Sequence, residues 1–108
     1  MHANHTLLYQ HVEFLTTLRP FRNHLNITSL EQVCDYLKQE FSTYGLEWNE
    51  QPFEVNGKTY RNIIASYNPE KKRRLIVGAH YDVCGDQPGA DDNASAVAGL
   101  LESARMVA

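Results

Sequence analysis

His80, Asp82, Asp91 and Asp92 are the residues whose types and spacing could do chemistry. They lie in the run His80-Tyr81-Asp82-Val83-Cys84-Gly85-Asp86-Gln87-Pro88-Gly89-Ala90-Asp91-Asp92-Asn93-Ala94-Ser95. His80 ends a mostly apolar stretch that reads as a buried strand, and ligands in α/β sheets bind beyond the carboxyl ends of strands. His80 and Asp82 are two residues apart, so strand alternation sends both side chains to one face. A carboxylate beside an imidazole fixes its tautomer and raises its basicity as a metal ligand. The Asp91-Asp92 pair follows a Gly-containing turn and opens a helix, where the dipole favours negative charge. Each fragment alone has an ordinary explanation, a hydrogen-bonded His-Asp pair or a helix cap. In tandem, after a strand and before a helix, they outline a metal site of imidazole and carboxylate ligands.

The elements that must position this run can be read from its flanks. Leu7, Leu8, Val12, Leu15 and Leu18 form one helical stripe over residues 6–18, ended by Pro20. A second helix is expected from Ser29 to Tyr44, with Leu30, Val33, Cys34, Leu37, Phe41 and Tyr44 on its apolar face. Thr28 and Glu31 have capping-box spacing, and Gly45 suits the position just past the helix end. The period then changes. Trp48–Val55 and Lys58–Tyr67 flank Asn56-Gly57, the strongest short hairpin signal. A third strand is expected over Arg74–Asp82, buried on both faces, followed by a loop over Val83–Ala90 and a helix over Asp92–Ala108. This order predicts one domain over residues 1–108: a partial three-layer α/β/α sandwich with a mixed sheet begun by an antiparallel hairpin. An exposed edge on so small a sheet favours self-association.

The composition excludes several functions. Hydrophobic residues make up 43% of the 108, typical of a globular chain, and a net charge of −3 argues against nucleic-acid binding. The run Lys71-Lys72-Arg73-Arg74 reads as a solvated strand edge. No apolar stretch approaches the ~20 residues of a membrane helix, and residues 1–5 lack the features of a signal peptide. A cytoplasmic location is expected, or a periplasmic or secreted one if a leader precedes these residues. Cys34 and Cys84 lack zinc-site spacing, and Cys34 falls on the apolar face of the second helix. His2, His5, His11 and His24 show no ligand spacing. The sequons at Asn4, Asn26 and Asn93 are read as chance.

Val77-Gly78-Ala79-His80-Tyr81-Asp82, followed by Pro88-Gly89-Ala90-Asp91-Asp92-Asn93-Ala94-Ser95, closely resembles the first two signatures of metallopeptidase family 28. That family includes bacterial leucyl aminopeptidases, and glutaminyl cyclases are relatives. Tyr60–Ala65 and Leu100–Arg105 resemble the strand and helix that flank those signatures. The resemblance implies a zinc-exopeptidase fold, two zinc ions and a peptide substrate cleaved at its N-terminal bond. It further implies that His80 ligates one zinc, that Asp91 bridges both, and that Asp82 supports His80 through a hydrogen bond. Asp92 would follow the bridging residue across a cis peptide bond, as a supporting carboxylate. Ala96 stands where relatives usually carry Gly. The family's Glu general base and its remaining ligands would lie beyond residue 108, so these residues alone are expected to be inactive. Other readings are a glutaminyl cyclase-like zinc acyltransferase, a carboxypeptidase- or deacylase-type metal hydrolase, and a non-enzymatic remnant serving as a binding or structural module.

Overall fold

A computed structural model describes residues 2–108. Helix α1 spans His5–Thr17, α2 spans Ile27–Thr43, strand β1 spans Glu47–Val55, β2 spans Lys58–Ser66, and α3 spans Ser95–Val107. A wide turn over Ala90–Ala94 leads into α3. The order of helices, hairpin and final helix is that of a partial α/β/α sandwich.

Local chemistry accounts for the element ends. Asn4 starts α1, its side chain accepting the Leu7 N–H at 3.1 Å. At the end of α2, Gly45 takes φ 78°. Its N–H donates to the Ser42 carbonyl at 3.0 Å, and Leu46 N–H donates to Phe41 at 3.0 Å, which makes a Schellman closure. The expected Thr28–Glu31 capping box does not form, because α2 already begins at Ile27 and the Glu31 carboxylate pairs with Arg61 of β2. The hairpin is as expected: Asn56 and Gly57 both have positive φ (51° and 77°), and Trp48 lies opposite Ala65 while Val55 lies opposite Lys58.

The core lies where the three helices meet. Leu15 of α1, Val33, Leu37 and Phe41 of α2, and Val97 and Leu101 of α3 pack together with Ala94. Trp48, Ile63 and Ala65 cover this cluster from the hairpin. Polar ties fasten the hairpin to α2. Glu50 pairs with Lys38 and sits 3.5 Å from Arg61, while the Trp48 indole N–H donates to Ser42 Oγ at 2.8 Å. Among the described residues no helix is long and apolar enough to cross a membrane.

Residues 74–82, expected as a third strand, form no ladder with the hairpin, and the sheet has two strands. Leu75 and Ile76 are 90% and 89% exposed. A strand buried on both faces requires neighbours on both sides, and no other strand flanks this segment among the described residues. Its last part still alternates. Ala79 and Tyr81 turn toward the core and Val83 is buried, while His80 and Asp82 face outward together.

Candidate metal centre

Tyr81 anchors the His80 side of the centre. Its hydroxyl donates to the Arg61 carbonyl at 2.6 Å and lies 3.3 Å from Cys34 Sγ. Burial raises the pKa of both the Tyr81 hydroxyl and the Cys34 thiol, so each stays neutral at pH 7. Cys34 is therefore a packing residue. With Tyr81 held inward, its two neighbours project outward: His80 Nδ1 lies 3.0 Å from Asp82 Oδ1, within hydrogen-bond distance.

The Asp92 side is shaped by the turn before α3. Gly89 adopts φ 62°, and the Ala94 N–H donates to its carbonyl at 3.0 Å. Asp92 and Asn93 depart from helical backbone angles. Asp92 Oδ1 comes within 3.0 Å of His80 Nε2. Asp91 is exposed, and its carbonyl accepts the Ser95 hydroxyl at 2.9 Å. The cis peptide bond lies between Asp92 and Asn93, one residue later than the position between Asp91 and Asp92 that the resemblance implied.

His80 thus lies between two carboxylates, Asp82 at 3.0 Å from Nδ1 and Asp92 at 3.0 Å from Nε2. The chemistry of this donor set can be read from its contacts. When Nδ1–H donates to Asp82, the neutral ring presents the Nε2 lone pair to a carboxylate oxygen 3.0 Å away. Two acceptors at that distance are favourable only with a proton or a cation between them. Imidazole nitrogen and carboxylate oxygen are donors that suit zinc. Among the described residues, no three His, Cys, Asp or Glu side chains gather as a group able to hold a metal. The donors fit part of a zinc shell.

The two sides are joined by a residue that sequence reasoning passed over. Arg22, in the α1–α2 connection, is 1% exposed and donates to main-chain carbonyls on both sides of the centre. Its neighbour Asn23 donates to the Gly85 carbonyl at 2.9 Å and to Asp86 at 3.1 Å. Nothing in Arg19-Pro20-Phe21-Arg22-Asn23 flags this role, since the partners are carbonyls remote in sequence. Of the remaining histidines, His11 is buried and shares a hydrogen bond with the Tyr36 hydroxyl, while His24 lines a cleft of about 200 Å³ beside His80 with Phe53, Tyr60 and Tyr81. Cys84 is exposed in the loop.

Residues 62–108 match the model of peptidase family M28. An uncharacterised protein of Escherichia coli (strain K12), YfbL, is 42% identical over 115 residues, an alignment covering 98% of this chain and 35% of that protein. The chain therefore spans about a third of the length of this curated relative. Residues 62–108, which hold His80, Asp82, Asp91 and Asp92, are thus the part of the chain that is similar to peptidase family M28.

Proposed function

We propose that this chain supplies the first ligands of a zinc aminopeptidase centre, with His80 and Asp92 holding metal and Asp82 orienting His80. The observation that carries this reading is the 3.0 Å approach of His80 Nε2 to Asp92 Oδ1, with His80 Nδ1 already engaged by Asp82. Of the two adjacent carboxylates, the metal-facing role goes to Asp92 on that distance, and Asp91 becomes its exposed neighbour. The chemistry a bound zinc supplies is Lewis acidity toward the carbonyl of a peptide bond. The residues of this chain contribute ligand position and a fixed imidazole tautomer.

A second reading concerns these residues by themselves: a metal-binding or structural part without turnover. It is favoured by the donor set, which offers no third ligand among the described residues. Glu102, the one acidic residue after Asp92, is buried and engaged by Arg105 and by the Asn4 N–H, so it is not placed as a general base. The two readings are compatible, since half a centre can hold metal weakly and still lack catalysis. The test is incubation of the chain with zinc and aminoacyl p-nitroanilides, with His80 ring signals followed by NMR. Zinc-dependent His80 shifts without hydrolysis are expected. Chelator-sensitive turnover by the chain alone would contradict the second reading, and His80 signals indifferent to zinc would contradict the first.

A further inference from the structure

Arg22 is a buried cation whose hydrogen-bond partners among the described residues include no carboxylate. Burying a guanidinium costs heavily unless its N–H groups find acceptors. Here the acceptors are four main-chain carbonyls. Nε donates to Tyr81 at 2.8 Å, Nη1 to Leu15 at 2.9 Å and Pro88 at 2.6 Å, and Nη2 to Gly89 at 3.1 Å. The Arg22 carbonyl in turn accepts the Val83 N–H at 3.0 Å. Burial lowers the Arg22 pKa, and the nearby Asp82 charge partly offsets this. The guanidinium stays charged, because its ordinary pKa lies far above neutrality.

The placement of these acceptors gives the contact its meaning. Tyr81 lies between His80 and Asp82, while Pro88 and Gly89 begin the turn that carries Asp92. One planar fork therefore holds the two ends of the Val83–Gly89 loop at a fixed separation, and Leu15 ties that fork to the helical core. The fit around Gly89 is close. A Cβ there would lie 2.3 Å from Val83 Cγ1, 2.7 Å from the Asp92 carbonyl oxygen and 3.2 Å from Arg22 Nη2.

We infer that Arg22 is a positioning residue that sets the separation between His80 and Asp92, acting through the Tyr81 and Gly89 carbonyls; this deepens the proposed function and rests on it. Lysine cannot replace it, since a point ammonium lacks the fork that reaches carbonyls on both sides of the loop.

The test is zinc binding by the whole chain, measured by calorimetry beside thermal melting, for wild type, Arg22→Lys, Arg22→Met and Glu102→Gln. Both Arg22 variants should lose about tenfold or more in zinc affinity, as is usual when a ligand's support is removed. Glu102→Gln, at the α1–α3 junction, should lower the melting temperature and keep wild-type affinity. Equal affinity in wild type and Arg22→Lys overturns the inference. An equal loss in Glu102→Gln does so too, since it would mark general destabilisation. If the wild-type chain takes up no zinc, the proposed function fails, and amide exchange decides the inference alone. The Val83 and Ala94 N–H groups should then exchange faster in Arg22→Lys, and unchanged rates at both overturn it. Should the variants not fold, the wild-type Arg22 Nε proton is the readout: strong protection supports the clamp, and a free-solvent exchange rate overturns it.

Discussion

The hairpin of residues 47–66 and the segment of residues 74–83 both read as strands, and only the first becomes one. The hairpin carries its own instructions, because Asn56-Gly57 supplies two positive-φ residues and each strand is the partner of the other. The later segment has apolar composition but no strand beside it among the described residues, and Leu75, Ile76 and Val77 stay exposed. Its last residues are ordered by other means. Tyr81 reaches the Arg61 carbonyl, Val83 is buried, and Arg22 grips the main chain. Composition marks a segment as capable of being a strand, while partners decide whether it is one. Where they are missing, side-chain anchors can still aim a histidine such as His80 outward.

This contrast can be sharpened by substitution. The largest effect is expected at Gly89, where an alanine would collide with Val83 and the Asp92 carbonyl at a left-handed φ. Gly89→Ala should cost about 2–3 kcal/mol in denaturant unfolding and weaken zinc binding as Asp92 shifts. At the hairpin, Gly57→Ala places a side chain at φ 77° in open space, so only backbone preference is lost. About 1 kcal/mol is expected there, with no change in zinc binding.

The helical side adds a contrast in pH. Arg105 and the Asn4 N–H hold the Glu102 carboxyl down at about 2, whereas burial lowers the pKa of His11 below its ordinary 6.5. Both folded values lie below those of the unfolded chain, so both groups contribute stability at neutral pH that is lost on acidification. Melting temperature should begin to fall below about pH 6.5 as His11 favours the unfolded state, and fall further between about pH 4.5 and pH 2 through Glu102. Glu102→Gln should remove the lower step only. The smallest effect is expected at Ile76, where Thr should change stability by less than about 0.5 kcal/mol. A loss above about 2 kcal/mol would mean that residues 74–78 are packed as a strand in solution.

Much of this architecture was legible in the residues themselves. The three helices, the hairpin turn and the Gly45 closure follow from local patterns that need few distant partners. The convergence of a histidine and a carboxylate was also legible, from strand alternation and from an acidic pair at a helix start. The choice between Asp91 and Asp92 was not. Adjacent carboxylates share every local signal, and only the fold brings Asp92 Oδ1 to 3.0 Å from His80 Nε2. Arg22 was equally hidden, because its partners are carbonyls that every residue possesses and only the fold brings to it.

The central claim is that His80 and Asp92 form the metal-holding pair. Zinc titration of the chain, followed through the His80 ring signals in wild type, Asp91→Asn and Asp92→Asn, tests it most directly. The account predicts that Asp92→Asn abolishes the zinc-dependent shifts while Asp91→Asn retains them near the wild-type midpoint. Loss of the shifts in Asp91→Asn, with Asp92→Asn behaving as wild type, would contradict it.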